Sequence, residues 1–214
     1  MAVITTYSTA VTAIADWLAR SDLNGFIPNF IQNWEEAFYR DPKNHGRWME
    51  ASLSDTIAAS VIPCPADYLA MKYAYVNGAP SSRLERKSLN QLLGSFPRGG
   101  TTGMPLMIAR DGENFIFGPE PDSTYTIKGT YYAKPTLLRN FASDAAANYL
   151  ILNCPDLIVY GALIHAAPFL RNDSRLPIWG QMYDMQLTSY RNLNRDEDIS
   201  GSPSQETLAR HWAH

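Results

Sequence analysis

The chain has few of the features that usually announce chemistry. Its two cysteines, Cys64 and Cys154, lie far apart with no CxxC spacing, which is poor for a zinc site, and a chain of this length does not need a disulfide to fold. Both are read as buried thiols. No apolar run approaches the roughly 20 residues needed to cross a bilayer. The opening MAVITTYSTAVTAIADW lacks the basic start and small-residue cleavage site of a secretory signal, so the expectation is a soluble protein that matures in the cytoplasm, with no membrane partner. The formal net charge is −3. A protein that grips duplex DNA needs a basic stripe to displace counterions, and no Lys/Arg cluster is present in the sequence.

Catalytic signatures are missing too. No GxSxG elbow occurs, and the glycines from Gly99 to Gly103 are not followed by the GK[ST] that sets a lysine and a hydroxyl against phosphates. His45, His165, His211 and His214 are scattered without carboxylates or cysteines at ligand spacing, so neither a metal nor a cofactor is expected. Glu35 and Glu36, adjacent on a helix, point about 100° apart and cannot face each other as an acid and base pair. They are read as a solvated edge.

What the chain does have is 45% hydrophobic residues and 12% aromatics, with five Trp and twelve Tyr, enough for a real core and for subunit contacts. The spacing Val11, Ile14, Ala15, Leu18 predicts a first helix, with Ser8 as its cap. A second should run from Pro28 to about Arg40, burying Phe30, Ile31, Trp34 and Phe38. From about Arg47 to Pro135 the period changes to two. Leu69, Met71, Tyr73 and Tyr75 alternate before an Asn77-Gly78 turn, and a second hairpin turns at Asp111-Gly112. A strand over Tyr125 to Ala133 places Tyr125, Ile127, Gly129 and Tyr131 on one face. Ser88 can cap a short helix through Leu92.

Helical period returns after Asn140, over Ala145–Leu152, Pro155–Leu170 and about Arg175–Arg195. The last carries Trp179, Tyr183, Leu187 and Tyr190 on one face. Gly161 and Ala162 permit close helix approach, so Tyr160, Gly161, Trp179, Tyr183 and Tyr190 are candidates for core or subunit packing. His165 is read as a partly buried histidine rather than a base. Asp196, Glu197 and Asp198 are read as a helix stop, followed by a polar tail.

The expected architecture is α+β: a discontinuous helical bundle over residues 1–45 and 136–195, a β-rich insertion over 46–135, and a flexible tail over 196–214. Within that tail, Leu208 and Trp212 are four residues apart and can share one helical face, which makes them the candidate docking anchors.

The run NYLILNCPDLIVYGALIHAAPFLRNDSRLPIWGQMYD, from Asn148 to Asp184, resembles phage head-to-tail adaptor proteins of short-tailed phages, including tail tubular protein A-like adaptors. Pro155, Asp156, Leu157, Tyr160, Gly161, Ala162 and Leu163 carry the likeness, with Ala166, Ala167, Leu170, Asp173, Trp179 and Tyr183 beyond. PCPADYLAMKYAYVNG from Pro63 and GMPLMIARDGENFIFGPEPDSTYTIKGTYYAKP from Gly103 extend it, so it covers about residues 5 to 190. Two places depart from the pattern: His165, where an acidic or amide residue is expected, and the chain past Arg195.

The resemblance implies a non-enzymatic virion protein assembled in the host cytoplasm. It would form a dodecameric ring at the head-tail junction, between the portal protein and a tail nozzle or tail tube protein. That ring would extend a channel through which genome DNA passes without specific binding. Two other classes stay open from the residues alone: a glycan-binding or cell-wall-degrading tail module, since Tyr and Trp stack on sugars, and an assembly chaperone absent from the finished particle.

Overall fold

A computed structural model describes residues 3–57, 60–141, 148–170 and 173–199. In chain order, α1 (Tyr7–Leu18) and α2 (Ile27–Arg40) are followed by β1 (Glu50–Thr56), β2 (Val61–Pro63), β3 (Tyr68–Val76), β4 (Ser82–Arg83) and β5 (Glu85–Arg86). Then come α3 (Leu89–Ser95), β6 (Met107–Asp111), β7 (Asn114–Gly118) and β8 (Thr126–Ala133), and finally α4 (Tyr149–Asn153), α5 (Pro155–His165) and α6 (Leu176–Ile199). The fold is mixed α+β. The chain divides into two compact units, Met1–Trp48 with Thr136–His214, and Met49–Pro135.

In the helical unit, α1 starts two residues earlier than expected. Thr6, not Ser8, is the cap: its hydroxyl accepts from the Thr9 N–H while the Thr9 hydroxyl accepts from the Thr6 N–H, so two orphan donors are satisfied at once. α2 buries Phe30, Ile31, Trp34 and Phe38 as its periodicity predicts, and Glu35 and Tyr39 as well. α4 begins at Tyr149, because Asn148 accepts from the Ile151 N–H at 3.0 Å and caps it there. α5 stops at His165 rather than Leu170; Pro168, lacking a donor, falls in a 3-10 turn over Ala167–Phe169.

α6 is longer than expected, passing through Asp196, Glu197 and Asp198 to Ile199. Those acids do not stop it: an unfavourable dipole contact of roughly 0.3–1 kcal/mol is too small to end a helix anchored by packing upstream. Residues 200–214, with Leu208 and Trp212, lie outside the described residues.

The insertion is built from two four-stranded sheets, ordered β1-β8-β3-β4 and β2-β7-β6-β5. Leu53, Ile62, Met71, Ile108, Phe117 and Ile127 are among the residues that form its core, drawn from both sheets. α3, capped by Ser88 with Gln91 closing the box, buries Leu92 with Ala109 and Ile116 of β6 and β7.

Two turn expectations shift. Asp111 pairs with Asn114, so the two-residue loop is Gly112-Glu113, and Gly112 supplies the positive φ of 60° at its first position. Val76 pairs with Ser82, so Asn77 and Gly78 open a five-residue loop instead of forming a tight turn. Register irregularities between Tyr68 and Ala70 and between Met71 and Tyr73 also break the expected alternation of β3. Met71, Ala74 and Val76 therefore point inward, while Tyr73 and Tyr75 stack on the opposite face with ring centroids 6.3 Å apart.

Candidate functional site

The candidate surface is the flank of α6, and the packing beneath it explains why that flank is held still. Trp179 and Tyr190 are 2% and 3% exposed, and Tyr183 and Leu187 between them are half-buried. The Trp34 indole N–H donates to the Tyr183 hydroxyl at 3.1 Å, and the Trp48 indole N–H donates to the Tyr190 hydroxyl at 3.0 Å. Tyr190 in turn donates to the Asn44 carbonyl at 2.8 Å. Burial pushes the Tyr190 phenol up to about 12, so it stays a neutral donor. Arg191 completes the lattice, reaching the Asn44 amide oxygen at 2.8 Å and Asp41 at 2.7 Å.

The N-terminal end of α6 is pinned to α1. Arg175 donates to the carbonyls of Trp17 and Leu18, at 2.9 and 3.4 Å, and so satisfies the end of α1. It also lies 4.8 Å from the Trp179 ring centroid and pairs with Asp173 at 2.7 Å. Hydrogen bonds from the Arg175 side chain hold the Asp173 carboxyl down, to about 2.

α6 is thus fixed by one face and carries apolar groups beside it. Ile178, Met182, Met185 and Leu193 are 56%, 39%, 57% and 48% exposed. Their spacings of four, three and eight place them along one strip, at about 100° per residue, beside the buried Trp179 and Tyr190 row. A helix that only closed its own core would not need a second apolar strip.

The remaining sequence candidates fall as follows. Gly161 is buried against the Trp34 indole, into which an added Cβ would run. Tyr160 is half-buried, edge-on to Trp17 at 5.9 Å. His165 lines a cavity of about 140 Å³ with Trp34, Asp41, Tyr183 and Arg191, and burial lowers its pKa. Cys64 and Cys154 are free and only half-buried, and burial raises both thiol pKa values. Among the described residues no group of three His, Cys, Asp or Glu side chains could hold a metal, and no helix is long and apolar enough to cross a membrane.

Sequence reasoning missed Glu35. It is not a solvated edge but fully buried, its carboxylate accepting from the Leu138 N–H at 3.1 and 3.2 Å and from the Tyr39 hydroxyl at 3.1 Å. This ties α2 to the chain that returns after the insertion. Burial, and then the neighbouring Glu35, drive the Tyr39 phenol strongly upward.

Together, the described residues define an α+β protein in which one flank of α6 exposes apolar side chains. The family model for the SU10 adaptor protein matches residues 5–206, and the chain belongs to that family. It is a phage adaptor, a structural component of a virion that associates with other virion components. No curated protein matches the chain.

Proposed function

We propose that this chain is a non-enzymatic subunit of a ring, dodecameric as in the adaptors it resembles, that joins portal protein to a tail nozzle or tail tube protein. The ring extends the passage for genome DNA at the head-tail junction and is assembled in the host cytoplasm. The observation that carries this reading is the α6 flank of Ile178, Met182, Met185 and Leu193, exposed on a helix locked from behind, in a chain of the adaptor family. Rigid, partly apolar surface is what one subunit needs to seat against another.

Leu208 and Trp212 are proposed as portal anchors. Burying about 200 Å² on a tryptophan at about 25 cal/mol per Å² gives at most roughly 5 kcal/mol before ordering costs, which is weak for one chain. Repeated around a ring it becomes durable attachment.

The test is cosedimentation of the purified chain with portal, followed by imaging of the complex. A ring of subunits on the portal is expected. Failure to associate, or cell-wall or glycan turnover by the purified protein, contradicts the proposal. Deleting residues 200–214 should leave a folded protein that no longer cosediments; unchanged cosedimentation removes Leu208 and Trp212 from the docking role.

A further inference from the structure

The face of the β1-β8-β3-β4 sheet turned away from the core carries a pattern that chain order hides. Ser54 pairs with Lys128, Lys128 with Tyr75, and Tyr75 with Arg83, so these four side chains form one row across all four strands. The next row is Ser52, Thr130 and Tyr73. Ile127, Gly129 and Tyr131 of β8 are buried, which puts Lys128 and Thr130 on the outer side. Tyr73 is 45% exposed and its ring stacks on Tyr75, 12° from parallel.

Charge is separated on this face. The insertion as a whole is balanced, with eight acidic and eight basic residues from Met49 to Pro135. Lys72 is neutralised by Glu50 at 2.7 Å. Asp55 pairs with inward-facing Ile127 and so belongs to the other side of the sheet. Arg83 and Lys128, by contrast, have no ion pair or hydrogen bond to their charged ends among the described residues. They sit two strand spacings apart, about 10 Å, on either side of Tyr75. Beside them opens a cleft of about 420 Å³ lined by Lys72, Tyr73, Arg83 and Arg86, and by Glu85, which pairs with Lys87 at 2.9 Å.

We propose that this sheet face contacts the sugar-phosphate backbone of duplex DNA, with Arg83 and Lys128 each neutralising a phosphate. The hydroxyls of Tyr73, Tyr75, Ser52, Ser54 and Thr130 act as neutral donors. The proposal rests on the adaptor reading, which brings DNA past each subunit. Composition favours a polyanion over a protein: both rows lack any aliphatic side chain to desolvate at a centre, whereas hydroxyls and cations are the groups that bind phosphate oxygens. Two cations per subunit also suit a passage that must let DNA slide, because each further phosphate neutralised adds retention.

The test is fluorescence anisotropy of the full chain with a labelled random-sequence duplex across a salt series. Two neutralised phosphates predict a slope of log affinity against log salt of about −1.8, a fall of about twelvefold for a fourfold rise in salt. The double variant R83A/K128A should bring the slope close to zero and weaken low-salt binding at least tenfold. Arg98→Ala, which removes an exposed cation already paired with Asp111, should change neither. No binding by the unaltered protein at low salt, an unchanged slope in the double variant, or loss of binding only to a sulfated polysaccharide and not to the duplex overturns the proposal. Portal cosedimentation of the same proteins keeps the readings apart: a double variant that rides with portal but ignores DNA supports this inference, while an unaltered protein that binds DNA but ignores portal contradicts the adaptor ring alone.

Discussion

The indole of Trp34 rests on the bare backbone of Gly161, so that α2 and α5 meet where α5 has no side chain to hold them apart. Trp34 is 2% exposed and its N–H is spent on the Tyr183 hydroxyl, which fixes the ring in place. One close approach therefore positions three helices, including the one that carries the exposed strip.

Gly161→Ala should be among the most damaging single-methyl additions in the helical unit. The Trp34 ring cannot step aside without losing its hydrogen bond, so overpacking should cost about 1–3 kcal/mol. Urea unfolding should show a lower midpoint with an unchanged slope. A midpoint equal to that of the unaltered protein would mean that α2 and α5 separate at little cost.

Glu35 offers a second test, because two donors depend on it. Glu35→Ala leaves the Leu138 N–H and the Tyr39 hydroxyl buried without this acceptor, at about 1–3 kcal/mol each. Glu35→Gln keeps an acceptor and should lose less. Equal losses in the two variants, measured by denaturant midpoint, would show that a single amide acceptor cannot replace the carboxylate.

How far these features were legible in the chain depends on what decides them. The face of α2 was readable because Phe30, Ile31, Trp34 and Phe38 obey a local period, and local periods survive in sequence. Glu35 was not, because its burial is decided by Leu138, 103 residues away. The strand pattern of β3 failed for a similar reason: its irregularities lie in the pairing with β8, so Tyr73 and Tyr75 fall on the face opposite Met71 with no local sign. Arg83 and Lys128 share one row, on either side of Tyr75, only because β3 lies between β4 and β8, an order that alternation cannot reveal. The α6 strip was half visible: the aromatic row was found, but the flank beside it is distinguished by exposure alone.

His165 makes stability depend on pH in a definite window. Burial lowers its pKa, so the fold favours the neutral ring, while the unfolded chain takes up a proton near pH 6.5. The contribution is complete above about pH 6.5 and declines as pH falls toward the depressed folded value. Asp41, Tyr183 and Arg191 line the same cavity. Comparing melting temperatures of the unaltered protein and His165→Gln between about pH 8 and 5 isolates this ring from the other histidines. The difference should be flat above pH 6.5 and should shift in favour of the variant below it. Parallel profiles throughout would exclude His165 as the source.

The α6 strip leads to the last prediction, which concerns how subunits come together. Ile178, Met182, Met185 and Leu193 offer one line of apolar groups on a single helix, far short of the roughly 800 Å² per partner of a standard stable interface. The free protein should therefore be monomeric or only weakly associated at micromolar concentration. Docking on a portal places neighbours side by side, and weak lateral contacts become effectively intramolecular. Met182→Glu with Met185→Glu should leave the free monomer's stability within about 0.5 kcal/mol, because both side chains already face solvent. On the portal, the same variant should bind at reduced stoichiometry, since each charged pair would have to be desolvated against the next subunit. Sedimentation velocity reads the first expectation, and mass photometry of the portal complex reads the second. A stable ring formed by the isolated protein, or full occupancy by the double variant, would remove α6 from the lateral contact.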